Sequence, residues 1–181
     1  MRVIAGTARG IRLVAPAGYD VRPTLDRVRE SLFNILSPRI EGARFLDLYA
    51  GTGANGIEAL SRGADSATFV DNDPRSLAAI ERNLAGAKLR QLADVRRLPL
   101  PEGLRTLWAD GKTYDIVFAD PPFAAMGYDQ LLSAIDSARV LAEGGLIVVE
   151  HSARVALPDR IGAFSQFRKA KYGEIALCFF S

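Results

Sequence analysis

Two short stretches carry residue types that could do chemistry. The first is Asp47-Leu-Tyr49-Ala-Gly51-Thr-Gly53-Ala-Asn-Gly56, and the second is Asp120-Pro121-Pro122-Phe123. The first contains Gly-x-Gly-x-x-Gly, placed between an apolar strand and a helix. Glycines there let the backbone turn sharply and come close to a ligand, and the helix behind presents unpaired N–H groups. Asp71 stands at the end of the next strand, where a carboxylate can accept both hydroxyls of a ribose. Nicotinamide and S-adenosylmethionine proteins share these features. Two details favour S-adenosylmethionine. Asp47 precedes the glycines, where its carboxylate suits the cationic end of a methionine and repels a pyrophosphate. The loop also follows a leader of some forty residues instead of opening the chain. The plain structural alternative is a tight strand-to-helix turn with no ligand.

In the second stretch, consecutive prolines stiffen the backbone and remove its donors, leaving carbonyls as acceptors. A carboxylate beside them completes a rigid acceptor set for an exocyclic amino group on a base. Such a nitrogen is a poor nucleophile because its lone pair is delocalised into the ring. Accepting its two N–H bonds localises the pair and aims it at a methyl donor. Phe123 offers a face on which an unstacked base can lie. The bland alternative is a strand stopped by Pro-Pro with a buried Phe. Other candidates carry less. Asp94, at the expected end of a third strand, could reach an adenine amino group or simply be a solvated turn carboxylate. His151 reads as a polar residue just past a strand, and Cys178 as core packing without a base partner nearby in sequence. No His, Cys, Asp and Glu grouping has metal-ligand spacing, so no metal is expected.

The elements that must position these residues alternate. Short apolar stretches punctuated by Gly6, Gly10, Pro16 and Gly18 predict a small hairpin over 1–22. Thr24 caps a helix with apolar residues at helical spacing from Leu25 to Leu36, stopped by Pro38. Strands follow at 43–49, 67–70, 89–93, 114–119 and 146–150. Helices are expected at 56–62, 74–84 and 128–141, the last closed by Gly144-Gly145. Segments 164–169 and 174–180 form a final antiparallel pair. The pattern predicts an α/β fold with a mostly parallel sheet covered on both faces. Ligands in such sheets bind at the carboxyl ends of the strands, so Asp47, Asp71, Asp94 and Asp120 are expected around one cleft.

The chain has 181 residues, 49% hydrophobic and 24% charged, the balance of a globular protein and not of a disordered or disulfide-framed one. One cysteine cannot make an internal disulfide, and the longest apolar run, near 175–180, is far short of the roughly 20 residues that span a bilayer. The opening residues show no apolar signal core, so a cytoplasmic location is expected. Net charge is +2 but uneven. Residues 1–40 hold seven arginines and three acids, and the remainder is slightly acidic. Arginine's planar fork suits phosphate and stacks on bases, so the leader points toward a polyanion or, more blandly, a solvated basic face.

Three stretches together resemble a known family. They are Arg22-Pro-Thr-Leu-Asp-Arg27-Val-Arg29-Glu-Ser-Leu-Phe-Asn-Ile-Leu36, the Asp47–Gly53 loop and Asp120-Pro-Pro-Phe123. The family is that of bacterial methyltransferases modifying guanine N2 in 16S ribosomal RNA, the small-subunit methyltransferase D family. The likeness spans nearly the whole chain, from Val3-Ile-Ala-Gly6 to Lys171-Tyr-Gly173. It implies a Rossmann-like class I domain over 41–181, using S-adenosylmethionine, with an RNA-holding extension over 1–40. By that similarity Asp47, Tyr49, Gly51, Gly53, Asp71, Asn72 and Asp94 bind cofactor. Asp120, Pro121, Pro122 and Phe123 orient guanine, and Arg9, Arg12, Arg22, Arg27 and Arg29 hold RNA phosphates. The expected partner is 16S ribosomal RNA within an assembling small subunit, with no membrane, and the protein acting as a monomer. The rivals are an adenine-N6 or protein-glutamine methyltransferase, an NAD-dependent oxidoreductase, and an RNA-binding module without activity.

Overall fold

The structure is a computed structural model and describes residues 1–16, 24–122 and 127–181. Eight strands form one sheet in the order β3-β2-β1-β4-β5-β8-β7-β6. The strands are β1 Arg44–Leu48, β2 Ser66–Asp71, β3 Ala93–Arg97, β4 Tyr114–Ala119, β5 Leu141–Ser152, β6 Arg160–Ile161, β7 Phe164–Tyr172 and β8 Ile175–Phe180. The pairs from β3 through β5 are parallel, and β8 joins β5 antiparallel. The expected mostly parallel sheet with a C-terminal antiparallel pair is therefore observed.

Side chains of a strand alternate between faces, and the core divides accordingly. Phe45, Phe69, Phe118, Val148 and Phe179 pack beneath the helices α1 (Thr24–Ile40), α2 (Ala54–Ser61) and α3 (Pro74–Ala87). Leu46, Val70, Val117, Val149 and Phe180 pack on the other face against α4 (Leu104–Ala109) and α5 (Tyr128–Ala138). Val3, Ala8 and Leu13 of the leader belong to the first of these cores, so the leader and the sheet share one apolar interior. Backbone pairing of Arg2 with Arg12 makes the expected leader hairpin in outline. The part of that hairpin over 17–22 lies outside the described residues.

Three expectations are corrected. Pro38 sits inside α1 instead of ending it. Its missing N–H costs one bond of the last turn, and burial of Ile40 beyond it keeps the turn wound. The stretch 89–93 is not a strand: Lys88 caps α3 in the left-handed region, Arg90–Leu92 is a 3-10 turn, and β3 begins only at Ala93. β3 lies at the sheet edge and reads Ala-Asp-Val-Arg-Arg, a polar pattern with little strand signal. α5 ends at Ala138 with Arg139 left-handed, and Gly144-Gly145 falls within β5. α4 was hidden in a segment without clear period. Among the described residues no helix is long and apolar enough to cross a membrane.

Candidate active site

The loop from β1 to α2 is a wound backbone. Tyr49, Gly51 and Gly53 have φ of 59°, 55° and 74°. A Cβ on Gly53 would approach Ile80 Cγ1 to 3.1 Å, and one on Gly56 would meet Phe69 Cε1 at 2.3 Å. Glycine is required at 53 by conformation and at 56 by the ring packed against it. Asp47 lies beneath this loop, 1% exposed, and its Oδ2 accepts the Gly56 N–H at 2.9 Å. Burial pushes its carboxyl up to about 8, partly countered by that hydrogen bond and aided by the repulsion of Asp120 and Asp71. Asp47 thus shapes the loop from below and does not line the cleft as expected. It is buried because the loop closes over it to bring the Gly56 N–H down.

Asp71 ends β2 and holds the other side of the loop. Its Oδ2 accepts from Gly51 N and its Oδ1 from Asp73 N, both at 2.9 Å. Asp73 caps α3 by accepting from Arg75 N. Tyr49, Gly51, Asp71 and Asn72 line a cleft of about 500 Å³, and so do Asp120, Pro121 and Pro122 from the end of β4. The carboxyl ends of neighbouring strands therefore bring the loop and the proline box into one crevice, as the sheet rule required. The Asp120 side chain is exposed to the cleft, and the protein on its flanks removes enough hydration to raise its carboxyl to about 6. Glu150, at the same level on β5, lines the cleft beside it. Burial first, then the charge of Asp120, pushes it up to about 8. Phe123 lies outside the described residues.

Asp94 is not part of this crevice. It pairs with Thr68 near the start of β3, while Arg97 stands opposite Asp71. It lines a second hollow at the other end of the sheet and is bound by Arg96 and Lys112. Burial raises its carboxyl, but hydrogen bonds from those two cations outweigh this and hold it below the usual range. The four-residue error in placing β3 put it at the wrong end.

The leader is pinned to α2 and α3. Glu58, fully buried, accepts from Ile4 N at 2.7 Å and Ala5 N at 3.0 Å, and from Arg62 Nε at 2.7 Å. Ser61 Oγ accepts from Ala8 N, and a Cβ on Gly6 would lie 1.7 Å from Ser61 O. Asn83 on α3 ties Val14 to the glycine loop, donating to Val14 O and to Thr52 O, each at 2.9 Å. Of the leader cations, Arg9, Arg12 and Arg27 are exposed. Arg29 is 4% exposed, which corrects its expected role as a phosphate contact. It donates to Arg2 O and Asp26 Oδ1 and joins the leader to α1, because the docked leader needs its own carbonyl satisfied. Arg22 lies outside the described residues.

His151 falls within β5, not past it, and its Nε2 lies 3.2 Å from Cys178 Sγ. Burial lowers the imidazole and raises the thiol, so the pair is a neutral core contact, not an activated nucleophile. Glu150, Glu58 and Asn83 were missed. Glu150 carried a usable signal, since it ends an apolar strand as Asp71 does. Glu58 and Asn83 had none beyond being polar on helices, because their partners are 53 and 69 residues away.

A parallel α/β sheet of this order, with a glycine loop after its central strand and an Asp-Pro-Pro box after the neighbouring one, is the Rossmann-like fold of class I S-adenosylmethionine methyltransferases. The profile described as "Conserved hypothetical protein 95" matches residues 1–181, and the chain belongs to that family. "Putative rRNA methyltransferase YlbH" of Bacillus subtilis is 40% identical over 173 residues, covering 96% of this chain and 94% of that one. "Ribosomal RNA small subunit methyltransferase D" of Escherichia coli is 37% identical over 176 residues, covering 97% and 87%. The resemblance read from the sequence is thereby borne out. The solved structure described as "Putative methyltransferase yhhF from Escherichia coli" superposes with a TM-score of 0.83 at 36% identity, covering 99% of this chain and 96% of that one.

Proposed function

We propose that this protein uses S-adenosylmethionine to methylate the exocyclic N2 amine of a guanine in small-subunit ribosomal RNA. The observation that carries the reading is the convergence of the glycine loop, Asp71 and Asp120-Pro121-Pro122 on one cleft of about 500 Å³. The names of the relatives support the RNA class of substrate.

The donor set fits a cationic nucleoside better than a dinucleotide. Asp71, Asp73, Asp120 and Glu150 line the cleft against one basic side chain, Arg29. Although Arg75 pairs with Asp73, a pyrophosphate there would still meet an excess of negative charge. Asp71 would take the ribose hydroxyls, and the Tyr49–Gly53 backbone the methionine portion. When bound, S-adenosylmethionine supplies an electrophilic methyl group on sulfur. The residues of the chain do the positioning that makes an unreactive amine attack it. Asp120 and the Pro121 carbonyl accept the two N–H bonds of the amine and turn its lone pair out of the ring. The proton released as the new bond forms passes to Asp120 or to solvent. Phe123 would stack on the flipped base, and Arg9, Arg12, Arg22 and Arg27 would hold RNA phosphates.

Nucleoside mass analysis of ribosomal RNA from a deletion strain tests this. Loss of one N2-methylguanosine, restored by the wild-type gene and not by Asp120→Ala, is the expected result. An unchanged profile, or loss of a methyladenosine instead, overturns it.

A further inference from the structure

β4 and β5 run parallel with Ala119 paired to Val149, so Asp120, just past the end of β4, stands beside Glu150, which is still within β5 and paired to Leu177 of β8. Neighbouring strands are about 4.8 Å apart, which sets the scale of that separation. Both line the cleft. Among the described residues, none donates a hydrogen bond to either carboxylate. Asp120 is exposed to the cleft and Glu150 is partly buried beside it. Two carboxyl groups held together without a protein donor disfavour each other's ionised form, an electrostatic strain, and among those residues neither is paired with a cation as the Asp94 cluster is. A ligand that brings several N–H donors to this spot relieves the strain. The Watson–Crick edge of guanine does so, because its N1–H and its N2 amine are attached to the same ring carbon and point the same way. Adenine and an unprotonated cytosine present a bare acceptor nitrogen where guanine has N1–H, and an ionised carboxylate repels it.

We infer that Glu150 is the specificity-determining residue for the base, accepting the guanine N1–H while Asp120 and Pro121 hold the amine. This rests on the guanine-N2 reading above and deepens it. The raised carboxyl of Glu150 is consistent with a group whose ionised form is completed by the substrate. Tyr128, at the start of α5, lies close enough that, after burial, both charges raise its hydroxyl.

The test uses an RNA spanning the modified position, reconstituted into subunit particles, with either guanine or 2-aminopurine at that position. 2-Aminopurine keeps the N2 amine but carries a bare N1. The wild-type protein is expected to prefer guanine by about 10- to 100-fold in kcat/KM, the worth of one well-made recognition contact. Glu150→Gln offers an N–H to the bare N1 and is expected to bring the two substrates within about threefold of each other, with S-adenosylmethionine affinity retained as evidence of an intact fold. If Glu150→Gln is too slow to assay, the affinities of the two RNAs in the presence of S-adenosylhomocysteine decide by the same ratio. A variant that keeps the wild-type preference, or loses both substrates equally, overturns the inference while guanine methylation by the wild type stands. A wild type that methylates no guanine N2 overturns the underlying reading instead.

Discussion

The sheet has a hollow at each end, of about 500 Å³ at the carboxyl ends of the strands and about 480 Å³ at the amino ends. Size does not distinguish them; charge compensation does. At the amino end, Asp94 is clamped by Arg96 and Lys112, and Asp115 by Arg44 at 2.9 Å. Hydrogen bonds from these cations hold both carboxyls below their ordinary range. At the carboxyl end, Asp47, Asp120 and Glu150 are all pushed up, chiefly by burial. One end has used its charges to hold the fold together. At the other end Asp47, Asp71 and Asp73 are engaged too, by Gly56 N, Gly51 N and Arg75. Among the described residues, however, Asp120 and Glu150 have no protein donor, which is what a site awaiting a cation and N–H donors requires.

Four outcomes sharpen or break that contrast. The largest concerns Asp120→Asn, which keeps the shape but offers an N–H where an acceptor is needed. Single-turnover methylation should fall about 10³-fold, with cofactor affinity little changed in calorimetry. In the wild type the same rate should climb with pH through about 6 and on toward 8, because carboxyls raised to those values must lose their protons before they can accept. Next, Gly56→Ala drives a methyl into the Phe69 ring and should cost about 1–3 kcal/mol of stability in chemical denaturation, with weaker cofactor binding.

A third test is thermodynamic. Asp47 binds its proton more tightly in the folded protein than in the unfolded chain. Its contribution is therefore fully present below the ordinary carboxylate range and is lost as pH rises toward about 8. Asp47→Asn should flatten that decline in denaturation measured across pH. The smallest effect belongs to Asp94→Asn, whose partners are half exposed. Stability should change by about 1 kcal/mol or less, and cofactor affinity not at all. Weakened cofactor binding in that variant would erase the distinction between the two ends.

Much of the molecule was legible before folding was considered. The glycine loop, Asp71 after β2 and Asp120-Pro121-Pro122 after β4 were each placed by local pattern, since apolar strands and capped helices leave periodic traces. β3 was misplaced because an edge strand buries little and so needs few apolar residues. Arg29 was read as a surface cation because nothing within its own helix, apart from Asp26, shows that Arg2 O and Glu58 will surround it.

The amino-acid sequence by itself determined the alternation of elements, the wound loop and the proline-stiffened acceptors, because each depends on neighbours within a few residues. Only the tertiary structure decided which carboxylates stay unpaired. Strand order put Glu150 beside Asp120, sent Asp94 to the far end among cations, and buried Asp47 under Gly56. Ionisation and pairing depend on distance in space, and chain position does not encode that distance.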